Sequence, residues 1–108
     1  MAKPSEQVTA KIQAWRERGE IMRLNGQDIF VLDEGRAEQP VLLLVHGFPT
    51  SSYDWEPMWS TLLQQFRVIA LDMLGFGFSA KPNERSYTIH GQADFVEALL
   101  REKAVSDF

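Results

Sequence analysis

Val41-Leu42-Leu43-Leu44-Val45-His46-Gly47-Phe48-Pro49-Thr50-Ser51-Ser52-Tyr53-Asp54-Trp55 is the stretch on which the fold turns. Its first five residues are apolar without alternation, as in a strand covered by helices on both faces, and predict a central parallel strand. Ser51 with Asp54 forms a capping-box pattern, and Trp55, Trp59, Leu62, Leu63 and Phe66 then trace one face of a helix that tolerates Pro57 in its first turn. The turn between strand and helix is where open α/β sheets bind ligands, at the carboxyl ends of their strands. Gly47 permits a sharp bend and Pro49 stiffens it, so together they can hold the Phe48 N–H toward a pocket. A fixed donor there would stabilise a developing oxyanion by about 3–4 kcal/mol. The same residues serve equally well as an ordinary tight strand-to-helix turn.

Upstream, Ile21–Leu24 and Asp28–Leu32 read as two strands separated by Asn25-Gly26, a pair suited to a tight antiparallel hairpin. Before them, Ser5 can cap a helix whose apolar residues Val8, Ile12 and Trp15 share one side, with Gly19 at its end. Downstream, Val68–Leu71 is a second short apolar strand ending at Asp72, followed by a loop containing Gly75, Gly77 and Pro82. A last helix is predicted with Ile89, Val96, Leu99 and Leu100 on its buried side. Strands alternating with helices require right-handed crossovers, which build a parallel sheet covered on both sides. The fold class is therefore α/β: an amino-terminal helix over residues 1–19, then an incomplete core over 20–108 made of an antiparallel hairpin and two parallel strands with crossover helices.

Composition sets the outer limits. The 108 residues are 44% hydrophobic and 24% charged, a globular balance, yet a complete α/β sheet enzyme takes about 200–250 residues, so further sequence is expected. A net charge of −4 and no basic patch argue against nucleic acid or an anionic membrane as partner. Without cysteine there is no disulfide framework, thiolate metal site or cysteine nucleophile. No apolar run is long enough for a signal peptide or a membrane span, and a cytoplasmic location is the default expectation.

Several residues imitate other chemistry. Gly77-Phe78-Ser79 begins like a G-x-S-x-G nucleophile elbow, but Lys81 stands where the last glycine belongs. Gly75-Phe76-Gly77 begins like a dinucleotide fingerprint, but its third glycine is absent and Pro82 follows. His90 reads as a solvated surface residue, and His46 with His90 makes no metal site. No metal or cofactor is expected. Trp55 and Trp59 fit the apolar stripe of a helix core better than a stacking platform.

His46-Gly47-Phe48-Pro49 resembles the HGxP segment of α/β-hydrolases, and Asp72-Met73-Leu74-Gly75-Phe76-Gly77-Phe78-Ser79-Ala80-Lys81-Pro82 resembles their D-x-x-G-x-G-x-S-x-x-P loop. The resemblance runs from about Ile21 to Leu100. In wording it is closest to the branch of epoxide hydrolases, haloalkane dehalogenases and mesoderm-specific transcript proteins. It implies that Phe48 supplies one oxyanion-hole N–H, that His46, Gly47 and Pro49 support that turn, and that Asp72 braces the loop. Haloalkane dehalogenases carry Asn at the Phe48 position, so the resemblance disfavours dehalogenation here.

The implied parent hydrolyses a small-molecule epoxide or ester through a covalent intermediate, using a nucleophile and a histidine base that these residues do not include. A serine esterase on the same fold and a truncated noncatalytic polypeptide or interaction module are the alternatives. In the implied strand order the Val41–Val45 strand loses one neighbour. The chain by itself is therefore expected to be inactive, poorly soluble or partly unfolded, and prone to self-association.

Overall fold

A computed structural model describes residues 4–47, 50–83 and 87–108. Helix α1 (Pro4–Arg18) precedes strands β1 (Glu20–Leu24), β2 (Gln27–Glu34) and β3 (Val41–Val45). A single 3-10 turn (Ser52–Trp55) leads into α2 (Glu56–Leu63), and β4 (Arg67–Leu71) and α3 (Ile89–Glu102) complete the order.

The hairpin forms where Asn-Gly predicts it. Asn25 and Gly26 both take positive φ, 49° and 78°, and Leu24 pairs with Gln27 across the turn. The four-stranded sheet runs β1-β2-β4-β3, with β4 antiparallel to β2 and parallel to β3. Strand β4 is thus the inner parallel strand. Val41–Val45 pairs with β4 on one side, and among the described residues no strand lies on its other side, as expected of a central strand that loses one neighbour.

Side-chain alternation divides the interior into two layers. Ile29 and Val31 of β2 join Ile69 and Leu71 of β4 under Phe95 and Leu99 of α3. Phe30 and Leu32 join Val68 and Ala70 on the opposite face, against Trp15 of α1 and Trp59 of α2.

Three helical expectations need correction. Helix α1 begins at Pro4, so Ser5 lies inside it, where its carbonyl accepts the Thr9 hydroxyl rather than capping the end. Only the carboxyl end of α1 reaches the sheet, so Trp15 is buried while Val8 and Ile12 remain 53% and 37% exposed. On α3, Ile89 is 87% exposed, and Phe95 takes the buried place expected of it. Thr88 caps this helix by accepting the Gly91 N–H at 2.9 Å, which sets Ile89 on the first, uncovered turn. The Ser51 pattern does cap, but through the Tyr53 N–H at 3.3 Å and at the 3-10 turn before α2.

A charged network closes the sheet end that holds the start of β4. Arg67 makes a bidentate pair with Asp33 at 2.8 and 2.9 Å, and Lys103 bridges Asp33 and Glu20. Burial works to raise the Asp33 pKa, but the hydrogen bonds and charges of Arg67 and Lys103 outweigh it and hold the carboxyl below its ordinary value. Hydrogen bonding to Arg18 lowers Glu34 likewise, against the opposing effect of burial. A carboxyl with a depressed folded pKa contributes stability above its unfolded pKa and loses it as pH falls through the folded value. Thermal stability should therefore hold from neutral pH down to about pH 5 and decline below about pH 4, and Asp33→Asn should flatten part of that acid limb. Melting temperatures across this range check it. An Asp33→Asn protein with the same acid limb would exclude Asp33 as a contributor.

Candidate active site

The carboxyl ends of β3 and β4 lie side by side, because Val45 pairs with Leu71 in the parallel register. The residues that follow each strand, His46 and Asp72, are both buried, and each one ties backbone from separate loops together.

The His46 Nε2 accepts the Met73 N–H at 2.9 Å. A backbone N–H can only donate, so Nε2 is unprotonated and the proton resides on Nδ1, which donates to the Gly47 carbonyl at 2.8 Å. Both ring nitrogens are thereby committed, and the ring edge rests on Phe76 with centroids 5.6 Å apart. The Gly47 carbonyl also accepts from the Thr50 N–H at 3.1 Å and the Thr50 hydroxyl at 2.8 Å. Phe48 and Pro49, the residues to which the sequence assigns the oxyanion donor and the stiffened turn, lie outside the described residues.

Asp72 works the same way from β4. One carboxylate oxygen accepts the Ser52 N–H at 2.7 Å and the other accepts the Phe78 N–H at 2.8 Å. Gly77 is required beside it: its φ is +53°, and a Cβ there would overlap the Asp72 carboxylate. Ser79 is buried, donating to the Asp72 carbonyl at 2.5 Å and accepting the Phe30 N–H at 2.9 Å, so its hydroxyl is spent on structure. The chain at Gly75 and Gly77 makes a braced loop rather than the start of a phosphate-binding helix.

Two contributors escaped sequence reading. Gln92 of α3 clamps the loop by donating to the Leu74 carbonyl at 2.9 Å and accepting the Leu74 N–H at 3.1 Å. Trp15 donates its indole N–H to the Ser52 hydroxyl at 3.0 Å, linking α1 to the turn that Asp72 holds. Gln92 stands one turn before Phe95 and Val96 on the inner side of α3, and a polar residue within such a stripe was the available signal. Nothing in the sequence marks the Trp15 link, which joins residues 37 apart.

An apolar groove of about 460 Å³ opens beside these loops, lined by Val45, Met73, Phe76, Tyr87, Ile89 and Val96. His90 is exposed on α3. Among the described residues no group of His, Asp or Glu could hold a metal ion, and no helix is long and apolar enough to cross a membrane. The arrangement offers an apolar floor and a rigid, hydrogen-bonded pair of loops at the strand ends. No hydroxyl or carboxylate among the described residues is paired with a free histidine.

Residues 40–107 match the family model of the alpha/beta hydrolase fold. The chain is 48% identical over 101 residues to the human mesoderm-specific transcript homolog protein, covering 91% of this chain and 30% of that one. It is 35% identical over 93 residues to the putative hydrolase LipZ of Mycobacterium tuberculosis, with 86% and 32% covered. Among solved structures, a membrane phospholipase A described as a bacterial virulence factor superposes with a TM-score of 0.79 at 28% identity, over 91% of this chain and 33% of that one. The haloalkane dehalogenase DbeA of Bradyrhizobium elkanii superposes with a TM-score of 0.73 at 34% identity, over 80% and 29%. The chain spans about a third of the length of the curated relatives it matches.

Proposed function

The chain belongs to the α/β-hydrolase fold family, and from that membership we propose that it is the amino-terminal part of a hydrolase that opens epoxides or cleaves esters through a covalent intermediate. The observation that carries the reading is the Gly47 carbonyl, held by three donors from His46 and Thr50. A peptide unit is planar, with its N–H directed opposite its C=O, so an anchored carbonyl is the support that a preorganised N–H would need. In this reading the Phe48 N–H is that donor, preorganised for a developing oxyanion before any substrate arrives. Gly47, Pro49 and His46 support it, and the groove beside Met73 and Phe76 seats an apolar small molecule. Phe48 offers no side-chain amide to a departing halide, which speaks for epoxide or ester over haloalkane. The location proposed with it is cytoplasmic.

The test uses a polypeptide continued through the next strand and the carboxyl-terminal base. It should hydrolyse styrene oxide or an aryl acetate with no added metal or nucleotide. Dependence on a divalent ion after chelation would sink the proposal. An Asp at the elbow points to the epoxide reading and a Ser to the esterase. In that polypeptide Pro49→Ala should lower kcat by about tenfold or more with little change in KM, because a preorganised donor acts chiefly in the transition state. Unchanged kcat would leave the turn a purely structural role. The 108 residues alone should show no turnover, since one oxyanion donor does not replace a nucleophile and a base.

A further inference from the structure

Helix α1 takes no part in the chemistry proposed above and precedes residues 40–107, the span that matches the family model. Its last turn is nevertheless aimed at the strand-end loops. Trp15 is 1% exposed and donates its indole N–H to the hydroxyl of Ser52, which is fully buried, at 3.0 Å. The next residue, Arg16, holds its guanidinium carbon 5.8 Å from the centre of the Phe78 ring and 5.3 Å from that of Phe30, and these two rings pack edge to face. Gly19 lets the helix end come this close, because a Cβ there would overlap the Phe30 ring.

Ser52 and Phe78 are the residues whose N–H groups bind the two oxygens of Asp72. Consecutive residues of α1 therefore reach both of the loops that this carboxylate joins. From Asp72 the connection to the oxyanion turn is short: the N–H of the next residue, Met73, is held by His46, whose other ring nitrogen anchors the Gly47 carbonyl. A helix that only covered the sheet would be served by an aliphatic side chain at position 15. A buried indole N–H is costly unless its bond is made, so the bond to Ser52 selects one placement of the turn.

We propose that α1 is a brace of the active site, with Trp15 and Arg16 as positioning residues that set the oxyanion turn through Ser52, Phe78 and Asp72. Its effect on turnover rests on the hydrolase reading above. Neither side chain lines the groove at the strand ends, so their loss should disturb the geometry of the transition state more than the binding of substrate.

The test uses the continued polypeptide. Trp15→Phe keeps an aromatic ring beside Trp59 and Tyr53, whose rings lie 5.0 and 6.1 Å away, and removes the N–H. It should lower kcat by about fivefold or more with KM within about twofold of native. Ser52→Ala should act alike, and the double variant should be no worse than the weaker single, because the same bond is lost in all three. Arg16→Met removes no core group, should lower kcat by about threefold, and carries the test if Trp15→Phe does not fold. Arg18→Gln is the control: it frees α1 from Glu34, bonded at 2.8 and 3.0 Å, without touching either loop, and should lower the melting temperature but not kcat. Unaltered kcat in Trp15→Phe or Arg16→Met, or an equal loss in Arg18→Gln, would overturn the brace. Amide exchange separates its failure from that of the hydrolase reading. In Trp15→Phe the Ser52 and Phe78 N–H groups should exchange about fivefold faster or more, with those of β2 unchanged. If the native polypeptide turns over neither styrene oxide nor an aryl acetate while exchange responds, the hydrolase reading fails and the brace stands. Unaltered exchange at both amides would overturn the brace whatever the turnover.

Discussion

Asp72→Ala should destabilise the chain by about 3–5 kcal/mol, the largest effect expected of any polar substitution in it. The carboxylate is buried, and its oxygens accept the Ser52 and Phe78 N–H groups at 2.7 and 2.8 Å. Alanine removes both acceptors at once and leaves two donors facing the void. An unsatisfied buried donor costs about 1–3 kcal/mol, and more where the lost bond was to a charged group. Relief comes only if water enters or the loops separate. Asp72→Asn keeps the shape and one acceptor but turns an NH2 toward a donor, so it should fall between alanine and the native residue. Urea titrations of the three proteins check the ranking. A loss below about 1 kcal/mol for alanine would mean that the loops hold themselves without this carboxylate.

Trp59→Ala should cost a similar amount, about 3–5 kcal/mol, through packing rather than hydrogen bonding. Trp59 is buried, with its ring 5.0 Å from that of Trp15 at an interplanar angle of 79°, an edge-to-face contact. Trp15 is also the buried anchor of α1, whose Val8 and Ile12 contribute little. The cavity should therefore loosen α1 before it loosens the sheet. Hydrogen exchange checks this: amides of residues 8–18 should lose protection while those of β2 and β4 keep theirs. Uniform loss in all three elements would show that α1 and the sheet open as one unit. Either single substitution removes a large share of a stability that for a domain of this size is about 5–15 kcal/mol.

The local elements were the legible part of this sequence. Asn25-Gly26 specifies its turn because few other pairs accept positive φ at both positions, and the apolar runs at Val41 and Val68 mark strands because they are too short for helices. Periodicity also identified which side of α2 is apolar. It could not say which apolar positions find a partner. Val8 and Ile12 share a side with Trp15 and stay exposed because the sheet ends beneath Trp15, and Ile89 precedes the turn of α3 that reaches the core. The pairing of β2 with β4, and the Asp33–Arg67 pair 34 residues apart that closes its end, are long-range choices that no local pattern encodes. At the site, Gly77 and Asp72 were visible as motif members, but that glycine is obligatory because the carboxylate stands in its Cβ position, a fact of approach rather than of pattern.

The indole bond from Trp15 to Ser52, the Arg18–Glu34 pair and the Arg16 guanidinium over Phe30 and Phe78 together clamp the last turn of α1, as a vice holds the end of a rod. Force applied to the helix divides there: one branch passes through the indole to Ser52, from the Ser52 N–H to Asp72 and on to the loop at Phe78, and another through Arg18 to Glu34 of β2. A tug at the amino end is felt at the strand ends, while a tug at the hairpin of β1 and β2 must first shear a ladder of paired backbone.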